Sequence, residues 1–79
     1  MEQVLTSKEL RKGMKARVAS VEQGEDPCTR LMELGLIPGT EFSVTKVAPL
    51  GDPIEIEMRG YKLCLRRTET ECLRFVELP

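Results

Sequence analysis

Apolar and polar residues alternate most regularly between residues 54 and 66, where two short runs flank Arg59-Gly60. The apolar positions of the two runs are Ile54, Ile56, Met58, Tyr61, Leu63 and Leu65. If Arg59-Gly60 forms a two-residue turn, Ile56 lies opposite Leu63 and Glu57 lies opposite Lys62. All apolar pairs then share one face, and a slip of one residue would break the arrangement. The pattern therefore predicts a β-hairpin of defined register, while Arg-Gly leaves the turn type open.

Shorter stretches of the same alternation predict three more strands, at residues 14–21, 41–48 and 73–78. In the first of these, Val21 is out of phase with Val18, which indicates a bulge or the end of the strand.

Two capping boxes predict short helical segments at either end of the chain. Thr6 is followed three residues later by Glu9, and Gly13 follows as a stop signal. Thr68 and Glu71 have the same spacing, which predicts one helical turn before the last strand.

A helix is predicted from residue 26, where Asp26 caps the N-terminus, Pro27 fits the first turn and Gly35 ends the helix. Its apolar stripe consists of Cys28, Leu31, Met32 and Leu34. A type II turn is expected at residues 37–40, and a loop at 49–53, because Pro and Gly interrupt regular structure there. The element order predicts a mostly β fold, a small SH3-like β-barrel of about five strands with one or two short helices. Residues 1–79 are expected to form a single domain of this type.

The composition narrows the range of partners. Among 79 residues, 12 basic and 13 acidic side chains leave a net charge of −1, which argues against binding nucleic acid. No apolar run approaches the roughly 18 residues that span a bilayer, and the N-terminus lacks the features of a secretion signal. We therefore expect a cytoplasmic protein without direct membrane insertion.

The residues that usually carry catalysis are scarce. The chain has no histidine, the commonest general base. Glu55 and Glu57 share one side of a strand, but opposite Lys62 and Arg66 they are more typical of a solvated face. No glycine pattern indicates a phosphate-binding loop. These observations predict no catalytic residue and no enzymatic activity.

Cys28, Cys64 and Cys72 form an odd and widely spaced set, which favours reduced thiols in a cytosolic protein. No C-x-x-C pair and no histidine is present, whereas zinc sites normally use four closely spaced ligands. We therefore predict no metal site and no cofactor. A thiol-based sensor or carrier of transition metals remains the alternative.

Apolar residues also occur next to turns and loops, where they predict a surface for a protein partner. The candidate partner-binding residues are Leu36, Ile37, Leu50, Gly51, Asp52 and Pro53. Pro and Gly restrict the backbone there, so binding costs little conformational entropy. Gly51 is expected to have a special backbone angle, and Asp52 to hydrogen-bond its own turn. Alternatively, Leu36 seals the end of the helix and Leu50 plugs the mouth of the barrel.

Two longer motifs, Arg30–Gly39 and Val47–Ile54, resemble the FeoA family, the small ferrous iron transport protein A. The segment Leu63–Arg67 is similar to the family's fourth strand and the turn after it. The resemblance extends from about Leu10 to Leu78. It implies an SH3-like barrel and a cytoplasmic accessory role beside FeoB, the membrane GTPase that imports ferrous iron. It supplies no catalytic residues. The same fold occurs in iron- and manganese-dependent repressors, so a free-standing regulatory domain is a further alternative, although no helix-turn-helix is present.

Overall fold

The computed structural model describes residues 3–22 and 26–79. Side chains are described for all of these residues except 26–28. The strands are β1 (Val4–Leu5), β2 (Lys15–Val21), β3 (Glu41–Val47), β4 (Ile54–Met58), β5 (Tyr61–Leu65) and β6 (Leu73–Glu77). The helices are α1 (Asp26–Glu33) and two 3-10 helices, Ser7–Glu9 and Arg67–Thr70. Across the described ranges, no helix is both long enough and apolar enough to cross a bilayer.

The six strands form one antiparallel sheet in the order β1-β6-β2-β3-β4-β5. β1 and β5 are its two edges, and no ladder joins them within the described residues. The fold is therefore mostly β, as predicted, but its sheet has six strands and is not closed into a barrel. The additional strand, β1, is two residues long, which is too short to show an alternating pattern.

The central hairpin has the predicted register, with Ile56 opposite Leu63 and Glu57 opposite Lys62. Its turn has positive φ at both central residues, 50° at Arg59 and 85° at Gly60. Two positive values define a type I′ turn, whose twist matches that of the flanking strands. An arginine takes the position that Asn or Asp usually fills, so the sequence did not reveal the turn type.

The bulge predicted in β2 is present, because the pairing of β2 with β6 shifts between Val18 and Ser20. A second shift, between Val44 and Lys46, bends β3 where it pairs with β4. Bulges increase the local twist of a sheet. They help the six strands curve around one core.

The core consists of the inward positions of the strands and the residues that cover them. Phe42 and Phe75 meet edge to face, with ring centroids 5.4 Å apart and planes at 75°, a favourable geometry for aromatic pairs. Both rings are buried, whereas Tyr61 is 41% exposed. The other fully or nearly enclosed side chains include Leu10, Ala16, Val18, Leu36, Val44, Ile54, Ile56 and Leu73.

The first capping box forms as predicted. The Thr6 main-chain N–H donates to the Glu9 carboxylate at 2.7 Å, and the Thr6 hydroxyl donates to the same oxygen at 2.6 Å. These hydrogen bonds, the side-chain bond first, hold the pKa of Glu9 below its usual value. The helix is a three-residue 3-10 helix, Ser7–Glu9, with Leu10 as its C-cap, so it does not continue to Gly13.

Candidate partner-binding surface

The loop between β3 and β4 is tightly closed by its own main chain. The Gly51 N–H donates to the Ala48 carbonyl at 2.7 Å, and the Ala48 N–H donates to the Pro53 carbonyl at 3.1 Å. Gly51 has φ of 90°, a conformation that glycine adopts without strain. Leu50 lies at the tip and is 96% exposed, so it does not plug the interior of the sheet.

Arg67 fixes this loop to the rest of the domain. Its Nε donates to the Gly51 carbonyl at 2.5 Å, and its guanidinium also donates to the carbonyls of Ser7 and Leu10. The Arg67 main-chain N–H in turn donates to Asp52 Oδ1 at 2.8 Å. The expectation that Asp52 bonds its own turn is therefore wrong, since its carboxylate caps the second 3-10 helix instead.

The same contact explains why the second capping box does not form. The 3-10 helix begins at Arg67 with Arg66 as its N-cap, so Thr68 lies inside the helix. Asp52 already accepts the first free N–H of this helix, and free N–H groups at a helix start are the groups that a cap must satisfy. A helical turn is present where predicted, but a residue from a distant loop caps it.

The C-terminal end of α1 forms a Schellman motif. The Leu36 N–H donates to the Leu31 carbonyl, and the Gly35 N–H donates to the Met32 carbonyl, each at 3.0 Å. Gly35 has φ of 109°, as this motif requires. The motif turns Leu36 back into the same buried cluster as Leu31, and Leu36 is 0% exposed. Leu36 therefore seals the helix end, and its prediction as a contact residue is wrong.

Four exposed apolar side chains remain near this helix end, and we call them the α1 patch: Met32, Leu34, Ile37 and Tyr61. The Tyr61 hydroxyl donates to the Leu34 carbonyl at 2.5 Å, which joins the hairpin to the end of α1. Met32 and Leu34 were expected on the buried stripe of the helix, so that expectation is wrong. Ile37 was expected on the surface and is 41% exposed.

The two predicted contact segments lie at opposite ends of the hairpin. Gly35 is next to Tyr61, at the turn end, where a Cβ on the glycine would lie 3.1 Å from the tyrosine oxygen. The loop that carries Leu50 precedes Ile54, at the open end. Four residue steps along β4 correspond to about 13 Å. Ile37 and Leu50 therefore cannot belong to one small contact point.

An open groove lies beside the loop, on the outer side of the sheet. It has a volume of about 350 Å³ and is lined by Lys12, Lys46, Val47, Ala48, Pro49, Glu55 and Cys64. The Glu55 carboxylate accepts a hydrogen bond of 2.7 Å from the Thr45 hydroxyl. Within the described residues, no three side chains of the metal-binding types come together as a candidate metal site.

The cysteines differ from the expectation of three reduced thiols. Cys64 is a free, exposed thiol, as its outward position on β5 predicts. Cys72 is buried and disulfide-bonded, which corrects the expectation for that residue. The predicted roles of Asp26, Pro27 and Cys28 in α1 concern side chains outside the described ones.

Six short antiparallel strands around one core define a small, mostly β domain of the SH3-like type. The sequence model of the FeoA domain family matches residues 8–76 of this chain. This range is most of the chain, and the protein belongs to the FeoA family.

Solved structures of similar proteins agree with this assignment. A FeoA-like protein from Clostridium acetobutylicum is 29% identical, with a TM-score of 0.89 over 100% of this chain and 92% of that one. The FeoA protein from Chlorobium tepidum is 40% identical, with a TM-score of 0.82 over 95% of this chain and 71% of that one. FeoA from Stenotrophomonas maltophilia, complexed with zinc, is 27% identical, with a TM-score of 0.73 over 87% and 86%. That protein is described as a prokaryotic SH3 domain protein proposed to activate ferrous iron transport.

Proposed function

We propose that this chain is a cytoplasmic accessory protein that binds the membrane GTPase FeoB and regulates or assembles it for ferrous iron transport. The observation that carries the proposal is the FeoA family match over residues 8–76. The Stenotrophomonas relative, itself proposed as a transport activating factor, supports the same role. In this role the chain performs no catalytic step, and transport and GTP hydrolysis belong to the partner.

Ile37 and Leu50 are the contact residues that we propose for the partner. Both are exposed apolar side chains next to backbone that is already fixed, Ile37 by the turn at residues 37–40 and Leu50 by its closed loop. Segments that are rigid before binding lose little conformational entropy when a partner docks. Gly51, Asp52 and Pro53 shape the loop, so their proposed part is to present Leu50.

The distance between the two segments sets a requirement on the partner. Because Ile37 and Leu50 are separated by about the length of β4, roughly 13 Å, one partner surface must extend along the hairpin to contact both. Each contact then contributes separately, and replacing one of them should weaken the complex without abolishing it. Replacing both should reduce binding by about the product of the single effects, because distant sites are usually additive.

A calorimetric titration with the cytosolic part of FeoB tests this proposal. Burying a leucine or isoleucine side chain contributes about 1.5–3 kcal/mol, so Leu50→Ser or Ile37→Ser should each weaken binding by about tenfold or more. Val4→Ser is the matched control, since Val4 is 58% exposed but lies on β1 at the other edge of the sheet. If the wild-type chain does not bind, the partner is wrong. If the chain binds and both serine variants bind as tightly as the control, the contact residues are wrong.

The thiol-based alternative has its own test. Its two candidate ligands, Cys64 and Cys72, differ in state, because the first is an exposed free thiol and the second is buried and disulfide-bonded. Ferrous iron or zinc can be titrated anaerobically into the reduced chain and into Cys64→Ser. Stoichiometric binding that is lost in the variant would favour a metal sensor or carrier over the proposed role.

A further inference from the structure

The outer edge of β5 carries main-chain groups without a ladder partner. The type I′ turn closes on a hydrogen-bonded pair of Met58 and Tyr61, and hydrogen-bonded pairs alternate along an antiparallel ladder. Leu63 is therefore bonded to β4, whereas the N–H and C=O groups of Lys62 and Cys64 point away from it. No described strand pairs with β5 on that side.

Apart from its basic side chains, this edge lacks the features that usually prevent a strand from pairing with another chain. β5 has five residues, contains no proline and pairs with β4 without a register shift. The opposite edge, β1, is only two residues long, and short edges are one common form of protection. The edge of β5 is therefore the more suitable template for an added strand.

Charge indicates which strand would pair there. Residues 59–67 contain four basic side chains and no acidic one, although the whole chain has a net charge of −1. Arg67 is used inside the domain, but Arg59, Lys62 and Arg66 are exposed. The β5 strand of a second copy would place these like charges side by side, which is destabilising. An acidic strand would instead find complementary charge.

The two sides of β5 also define an alternating pattern for the added strand. Lys62, Cys64 and Arg66 lie on the outer side, whereas Tyr61 and Leu63 lie on the inner side and are not fully covered. We propose that the edge of β5 binds an extended segment of a partner protein in which acidic residues alternate with apolar ones, as an added strand of the sheet. Acidic residues would meet the outer cations, and apolar residues would cover Tyr61 and Leu63.

Two acidic side chains of β4 lie on the outer face by register, Glu55 opposite Cys64 and Glu57 opposite Lys62. Both are two strand spacings, or about 10 Å, from the added strand. That distance is about one Debye length at 0.1 M salt, so repulsion across it is partly screened. Lys62 is only one strand spacing away, so its attraction for an acidic residue of the added strand is the stronger effect. The inference does not require that the partner is FeoB, and a failure of either proposal leaves the other testable.

Amide hydrogen exchange, followed by NMR, tests the added strand directly. The probe is a synthetic peptide of about eight residues, a common strand length, in which glutamate alternates with valine. In the free chain the amides of Lys62 and Cys64 should exchange quickly, and the peptide should slow them. The amide of Leu63, which already bonds to β4, should change much less. A peptide with lysine in place of glutamate should leave all three unchanged.

Two variants separate strand addition from other binding. Cys64→Pro removes an N–H that points away from β4, at an edge position where proline is tolerated. This change should lower the affinity for the peptide by about tenfold relative to Cys64→Ser, because the added strand loses one main-chain hydrogen bond. Lys62→Glu should also lower the affinity, and this effect should fade at about 1 M salt, where charges are screened. If Cys64→Pro does not fold, Lys62→Glu and the exchange pattern still decide.

Three results would overturn the proposal. The first is unchanged exchange at Lys62 and Cys64 in the presence of the peptide. The second is equal affinity of the folded Cys64→Pro and Cys64→Ser variants. The third is slow exchange of these amides that grows with protein concentration and needs no peptide, because a second copy would then occupy the edge.

Discussion

Truncation of Ile56 tests the packing of the central hairpin. Ile56 is 0% exposed on β4, between Val44 of β3 and Leu63 of β5. Leu63 is its cross-strand partner on the edge strand, but it is only half-buried. The register alone suggests equal effects of shortening either residue to alanine, whereas the difference in burial predicts unequal ones.

The magnitude follows from the number of carbons removed. Ile56→Ala removes three carbons, or about 2.4 kcal/mol of transfer free energy at about 0.8 kcal/mol per methylene. The cavity left in a fully enclosed position should raise the loss to about 3–4 kcal/mol. Leu63→Ala removes a similar volume from a half-exposed position, so about 1–1.5 kcal/mol is expected. For a domain of this size, with a total stability of about 4–12 kcal/mol, the first loss is large.

Urea unfolding followed by circular dichroism measures both losses, with the disulfide kept in the same state in all samples. The account predicts that the free energy of unfolding falls at least twice as far for Ile56→Ala as for Leu63→Ala. A loss below about 1 kcal/mol for Ile56→Ala, or an equal loss for the two variants, would refute the inferred packing.

Three further changes probe other contacts. Arg67→Ala should cost about 2–3 kcal/mol in urea unfolding, because main-chain carbonyls lose a charged donor, and a loss near zero would contradict its bridging role. Gly35→Ala should lower thermal stability by about 1–2 kcal/mol, since φ is positive and the new Cβ meets Tyr61; unchanged melting would contradict this. The lowered pKa of Glu9 means that its contribution is complete above the unfolded pKa, about 4.5, and is lost as pH falls through the folded value. Glu9→Gln should therefore flatten the acid limb of the stability profile, and an unchanged limb would argue against the capping box.

Local patterns predicted the hairpin correctly because its register depends on an alternation of period two and a two-residue turn. Ile56 and Leu63 are opposite each other as the sequence indicates. The turn at residues 37–40 was equally predictable, since Pro and Gly occupy the positions that a type II turn favours. Gly39 has φ of 96°, and the Thr40 N–H donates to the Ile37 carbonyl.

Contacts between distant segments were not predictable from such patterns. Asp52 caps a helix that begins fifteen residues later, and no local spacing signals this. The bridging role of Arg67 was unpredictable for the same reason, because its acceptors lie in two distant segments, residues 7–10 and the loop at Gly51. These two residues hold the loop that carries Leu50, so the sequence predicted the loop but not the contacts that support it.

The assignment of Leu36 failed for a different reason. A Leu directly after a helix-ending Gly is consistent with either an exposed residue or a Schellman motif. An apolar contact between the residue after the Gly and the last turn of the helix commonly accompanies this motif, and Leu31 is the apolar residue in that position. The signal was therefore present in the spacing of Leu31, Gly35 and Leu36, and it favours burial.

Ferrous iron uptake by whole cells tests the central claim most directly. Cells that lack this chain should take up ferrous iron more slowly than the wild type, and the wild-type chain or Val4→Ser should restore the rate. A chain with both Ile37→Ser and Leu50→Ser, present at the same level and folded, should not restore it. The account is contradicted if cells without the chain take up ferrous iron at the wild-type rate, or if the double variant restores uptake fully.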